Sequence, residues 1–281
     1  MRKLKPWQQA LFQIAFGLVA LFVIVPVWEM FYLAFDGGVV GWPTSFRLWP
    51  QHFTLAVFGQ MWARPAQSLT FLGALKNSLL VSGSAALLSV GLGASTAYAF
   101  ARFRFPGRGA GLFGLLLGTM LPPVALMTPL YILLTALHQR TTLLALVIVY
   151  TSFAMPFCIW NMRAAFQAVP RELEESAFLD GAGPLQTFGR ITLPLALPAI
   201  AVAALIAFLI AYSEFAMGWL FVQKSSDVTL AMAVSGLLSG NNLSWSWLAA
   251  LSVLMSAPVV VIFVVLQKYV LSGLLIGAPG D

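Results

Sequence analysis

Six runs of about twenty apolar residues, separated by more polar connections, constrain this chain more than any other feature. They lie at about Leu11–Leu33, Leu75–Phe100, Leu112–Leu137, Leu143–Met162, Leu197–Val222 and Leu248–Tyr269. A helix of that length crosses the roughly 30 Å hydrocarbon core of a bilayer. Composition agrees: of 281 residues, 60% are hydrophobic and only 9% charged, where a soluble domain carries about a quarter charged. The sequence predicts an all-α integral membrane protein with six transmembrane helices, organised as one domain over residues 1–281.

The net charge of +6 would point to nucleic acid in a soluble protein. Here the Lys and Arg residues sit in short clusters between apolar runs, with no basic stripe and no nucleic-acid-binding motif. They read as topology determinants. Arg2, Lys3, Lys5, Arg102, Arg104, Arg108, Arg163, Arg171, Arg190 and Lys268 fall on one side, and Arg47, Arg64, Lys76, Arg140 and Lys224 on the other. The positive-inside rule makes the richer side cytoplasmic. A multi-pass protein of the cell inner (plasma) membrane follows, with both termini inside. The first run begins basic, exceeds the roughly 7–15 apolar residues of a signal peptide and lacks a well-placed small-x-small cleavage site, so it reads as a retained helix. The external loop at about 34–74 holds Trp42, Trp49 and Trp62 with Pro43, Pro50 and Pro65, residues suited to short elements at headgroup level.

Candidates for chemistry are few. Cys158 is a lone cysteine, and His52 and His138 match no metal-ligand spacing. His-Glu-x-x-His, Gly-x-Ser-x-Gly, a P-loop and a potassium-type selectivity filter are all missing from the sequence. No catalytic, cofactor or metal residue is therefore expected. Pro122, Pro123 and Pro129 must interrupt the third run, because each removes a backbone donor. Two acids fall within runs. Glu29 is near the outer end of the first. Glu214 lies deeper in the fifth, beside Tyr212 and Ser213 and five residues before Trp219. An intramembrane acid must face a partner or a wet cavity. Glu214 reads either as a structural partner between helices or as a pathway residue. Trp219 reads first as an interfacial anchor.

The longest polar stretch on the inner side, about 167–195, carries two short amphipathic patterns. Pro170 suits a first helical turn, and Glu172, Glu174 and Glu175 complement the helix dipole. Leu173, Ala177 and Phe178 form an apolar face, and Gly181 can end the helix in the left-handed conformation. Pro184 can start a second helix with Leu185, Phe188 and Ile191 on one face, and Pro194 leads into the next run. A hairpin lying on the membrane and a docking element for another protein need the same pattern.

The order Glu175-Ser176-Ala177, three residues, Gly181, nine residues, then Ile191-Thr192-Leu193-Pro194 resembles the EAA loop of permease subunits in binding-protein-dependent ABC importers. The one departure is Ser176 for alanine. Asn77-Ser78-Leu79-Leu80, Ala97 to Arg102, Arg104-Phe105-Pro106-Gly107-Arg108 and Gln267-Lys268-Tyr269 through Gly273 resemble sugar permeases related to the smaller permease of the maltose importer. The tail Gly277–Asp281 departs from that subfamily. The resemblance implies a second, similar permease, two ATPase subunits holding ATP and Mg, an external solute-binding protein and a sugar substrate, with no nucleic acid. It implies alternating access with ATPase coupling through Glu174, Glu175, Ser176, Ala177, Leu179, Asp180, Gly181, Ile191, Leu193 and Pro194. Tyr212, Ser213, Glu214 and Trp219 are the expected substrate-path residues. A self-sufficient secondary carrier or channel is the alternative, and it lacks a second intramembrane charge partner and an inverted repeat.

Overall fold

A computed structural model describes residues 5–37, 39, 43, 47–66, 69–239 and 244–276, with side chains to Tyr269. Arg2, Lys3, Trp42 and the tail 277–281 lie outside the described residues. Helices dominate: α1 (Pro6–Phe35), α2 (Ala56–Ala63), α3 (Phe71–Arg102), α4 (Arg108–Met120), α5 (Pro123–Ala136), α6 (Leu143–Ala168), α7 (Arg171–Leu179), α8 (Pro184–Thr187), α9 (Leu193–Leu195), α10 (Leu197–Ser213), α11 (Ala216–Phe221), α12 (Leu230–Leu238) and α13 (Trp245–Ile276). A π-helical turn, Phe188–Thr192, joins α8 to α9. Among the described residues β-pairing is confined to two isolated bridges, Asp36 with Phe53 and Ala66 with Leu69.

α1, α3, α6 and α13 are each long and apolar enough to cross a membrane. Two bent pairs bring the number to six when each is counted as one span: α4 with α5 at 104°, and Pro184–Leu195 with α10 at 78°. The third run is therefore two helices rather than one kinked helix. A residue that precedes proline is pushed out of the helical region. Leu121 precedes Pro122, and Pro122 precedes Pro123, so both are extended, at ψ 127° and 132°, and the helix stops. Pro123 then opens α5 at a position where its missing N–H leaves no orphan, while Pro129 is carried inside α5.

The chain forms two compact units, Met1–Phe71 with Val234–Ser256, and Leu72–Ala233 with Ala257–Asp281. In the first, the external connection folds against the end of α1. Phe35 stacks on Phe53 with centroids 5.6 Å apart and packs on Phe58 of α2 at 4.9 Å. Trp28 Nε1 donates to the Leu48 carbonyl at 3.0 Å. Asp36, 1% exposed, accepts from the Gln51 N–H at 2.9 Å, and its carbonyl accepts from Ser246 Oγ at 2.6 Å. Farther down α1, Phe16 and Phe22 are exposed, as an apolar span facing lipid requires.

The second unit is built on α3, α6 and α10. Small residues allow close helix approach. Ala145, Ala154, Ala203 and Ala207 are fully buried. A Cβ added at Gly93 of α3 would lie 3.1 Å from Met162 Cε and 3.3 Å from Cys158 Cβ of α6. Ser89 Oγ donates to the Thr151 carbonyl across the same seam at 3.3 Å, and Cys158 Sγ lies 3.7 Å from the Ala203 carbonyl of α10.

Candidate functional site

The stretch after α6 folds as the two short helices its sequence predicts. Val169 and Pro170 are extended, which ends α6 and starts α7. Glu172 and Glu174 occupy the first turn of α7, where the exposed N–H groups favour negative charge. The helix closes with Asp180 N–H on the Ser176 carbonyl (3.0 Å), Gly181 N–H on Phe178 (3.1 Å) and Ala182 N–H on Ala177 (2.9 Å). Gly181 has φ +84°, a conformation that favours glycine, so the chain reverses there into Pro184 and α8. The π-helical turn then carries the chain through Ile191 and Thr192 to α9 and α10.

One side of this hairpin is held by a buried ionic centre. Arg102, the last residue of α3, donates from Nε to Glu174 Oε1 at 3.0 Å, with Oε2 at 2.9 Å, and from Nη2 to the Val169 carbonyl at 2.9 Å. Both charged side chains are 7% exposed. Thr192 Oγ1 donates to Glu174 Oε1 at 2.6 Å. One arginine and one glutamate thus join the end of α3, the α6–α7 junction, α7 and the π-helical turn. Tyr98, one turn before Arg102, packs against Phe188 at 4.7 Å and Phe166 at 6.0 Å.

The other side of the hairpin is open and apolar at its tip. Leu179 is 89% exposed and Leu185 86%. Leu173 and Phe178 are exposed too. Of the expected coupling residues, Glu174 and Ala177 point inward and are buried. Glu175, Ser176, Asp180, Gly181 and Pro194 are exposed, and Ile191 and Leu193 are half-buried. A crevice of about 190 Å³ opens beside the ionic centre between Tyr98, Arg171, Glu175, Phe178 and Pro184.

The expected path residues gather at a break in the fifth run, which the sequence reads as one span. α10 stops at Ser213, and α11 begins at Ala216. Glu214 sits in the gap and caps the new helix. Its Oε1 accepts from the Ala216 N–H at 2.8 Å and the Met217 N–H at 3.1 Å, and its Oε2 accepts from Tyr150 Oη at 2.7 Å. Tyr212 is buried and stacks on Phe208 at 5.2 Å. Ser213 is exposed, with its hydroxyl on the Leu209 carbonyl at 2.7 Å, and Trp219 is exposed. Gly218 is close-packed: an added Cβ would lie 2.7 Å from Met232 Sδ of α12.

Sequence reasoning missed Arg102, Tyr98 and Thr192 as partners of the hairpin. It also missed what Asn77 and Ser78 do. Asn77 Nδ2 donates to the Ser226 and Val228 carbonyls at 2.8 and 3.0 Å, and Ser78 Oγ accepts from the Leu230 N–H at 2.7 Å, which caps α12. Among the described residues no group of His, Cys, Asp and Glu is placed to hold a metal ion.

Several helices long and apolar enough to cross a membrane, with a helical hairpin before α10, define a class, the multi-pass membrane proteins. Residues 89–275 match the family described as binding-protein-dependent transport system inner membrane component, and the chain belongs to that family. It is similar to the inner membrane ABC transporter permease protein YcjP of Escherichia coli K12, 29% identical over 92% of this chain and 93% of that protein. It is also similar to the maltose/maltodextrin transport system permease protein MalG of Salmonella typhimurium, 34% identical over 72% of this chain and 70% of that one. A chain from the crystal structure of a bacterial ABC transporter involved in import of the acidic polysaccharide alginate superposes with a TM-score of 0.76. That match covers 96% of this chain and all of the other at 19% identity, which speaks for the fold. The chain is a non-catalytic inner-membrane component of an ABC transport system.

Proposed function

We propose that this chain is one permease subunit of an ATP-driven importer for a carbohydrate, and that residues 1–281 work as one such subunit. The observation that carries the reading is the hairpin. Its inner side is tied to α3 by the buried Arg102–Glu174 centre, and its tip presents Leu179 and Leu185 uncovered. An exposed apolar tip on a rigidly held helix pair suits insertion into a groove of another protein. In this reading the hairpin is cytoplasmic, both termini are inside, and the tip enters an ATPase subunit. A second, homologous permease completes the path, two ATPases hold ATP and Mg²⁺, and an external solute-binding protein delivers the sugar. ATP binding favours one global state of the assembly, and the hairpin passes that bias to the bundle.

The carbohydrate assignment is supported by the maltodextrin relative and the alginate transporter of like fold, and an oligosaccharide is the substrate class we favour. The exposure of Ser213 and Trp219 beside the break capped by Glu214 supports a place for them on the substrate path. Purification of the intact complex tests the reading. An ATPase subunit should copurify, and its hydrolysis should rise with the cognate binding protein and one sugar of a panel. A chain that purifies without an ATPase and still moves solute would overturn it in favour of a self-sufficient carrier.

A further inference from the structure

We propose that Arg102 is a positioning residue for coupling: it fastens the hairpin to the end of α3, so that a displacement of the hairpin is delivered into α3. This rests on the reading above, in which the hairpin engages an ATPase. The sequence marks Arg102 only as one positive charge among several on its side. The structure gives it a separate task. Its guanidinium makes three contacts on two segments besides its own helix, two to the Glu174 carboxylate of α7 and one to the Val169 carbonyl at the α6–α7 junction. Glu174 passes the connection on to Thr192 in the π-helical turn. The ion pair and the Val169 contact, both of which tie the hairpin to the end of α3, therefore meet at one side chain.

Two physical features make this joint stiff. The pair is 7% exposed on both sides, and separating desolvated charges is far less favourable than moving them together. The contact with Val169 uses the guanidinium fork, which a lysine ammonium cannot reproduce while also holding Glu174 in the same geometry. Tyr98, Phe166 and Phe188 pack on one another beside the pair. The outward residues Leu179 and Leu185 make a docking tip, and the inward pair transmits. The division assigns Glu174 to the bundle rather than to the ATPase surface.

The experiment uses the whole complex in proteoliposomes, with binding protein and sugar, and four forms of this chain: wild type, Arg102→Met, Arg102→Lys and Arg102→Met/Glu174→Leu. The readouts are complex yield, thermal stability and sugar moved per ATP hydrolysed. Arg102→Met strands the Glu174 charge and should lower yield. Replacing both charges with apolar groups is often neutral for stability, so the double variant should regain yield. Its sugar-to-ATP ratio should still fall about fivefold or more, the low end of ordinary coupling between sites. Arg102→Lys should assemble and show an intermediate ratio. A double variant with wild-type ratio overturns the proposal, since the pair then serves stability alone. If the double variant does not assemble, an Arg102→Lys complex with wild-type ratio overturns it equally. Wild-type complexes that contain no ATPase would instead refute the underlying function, a separate outcome visible before any variant is made.

Discussion

Two glutamates, Glu174 buried in the hairpin and Glu214 half-buried in the fifth run, are satisfied by opposite means. Glu174 is paired with a full positive charge, Arg102, and receives one hydroxyl from Thr192. Glu214 meets no cation among its recorded contacts: its partners are two backbone N–H groups at the start of α11 and the Tyr150 hydroxyl. The first arrangement joins segments that are 72 residues apart in sequence. The second repairs a local fault, the helix break at Glu214, using the partial positive charge of a helix start. A charge pair belongs where separate elements must move as one body. A carboxylate held by neutral donors belongs where one element must bend without exposing its backbone to lipid.

That contrast sets the order of expected effects. Glu174→Ala leaves Arg102 buried and unpaired, and such losses run to about 3–5 kcal/mol. The purified complex should lose most of its thermal stability or fail to form. A variant that melts with wild type would show that water already reaches the pair. Glu214→Gln removes the charge but keeps one acceptor, so the expected loss is about 1.5–3 kcal/mol, that of a hydrogen bond to a charged group. Thermal unfolding should shift while the ranking of sugars stays fixed. A changed ranking with normal stability would move Glu214 from the cap to the substrate path. Gly181→Val tests the turn between the helices, which rests on φ +84°. Forcing a β-branched residue there costs about 1–3 kcal/mol. ATPase copurification should drop with membrane insertion intact, and normal copurification would separate the turn from docking. Tyr150→Phe deletes a single donor to Glu214, which keeps its two backbone donors, and should cost about 1.5 kcal/mol, the low end for a bond to a charged group. An effect as large as that of Glu214→Gln would mean that the Tyr150 contact, not the helix cap, is what Glu214 is for.

Much of the hairpin was legible because its signals are local. Pro170 starts α7, and the acids follow at once. Gly181 takes the left-handed conformation its position suggests, and Pro184 opens α8. The break between α4 and α5 was half legible: two successive prolines stop a helix wherever they stand, but the 104° angle depends on what the two pieces pack against. The gap at Glu214 carried no proline or glycine to announce it, since Ala211 to Phe215 reads as continuous helix with one acid in it. Arg102 as partner of Glu174 was out of reach, because a pairing across 72 residues leaves no periodic trace in one sequence. Asn77 and Ser78 showed the same limit. They stood out as a family-like dipeptide, yet their partners lie about 150 residues on, at and just before the start of α12.

The central claim is that the hairpin tip docks into an ATPase on the cytoplasmic side. The most direct measurement places a single cysteine at Leu185 in a Cys158→Ala background and follows it in intact cells and in the purified complex. The account predicts no labelling by a membrane-impermeant thiol reagent from outside. It predicts labelling of the isolated chain, and in the complex protection from the reagent together with crosslinking to the ATPase subunit. Labelling at position 185 from the outside of intact cells, or full labelling in a complex that contains the ATPase, would contradict it.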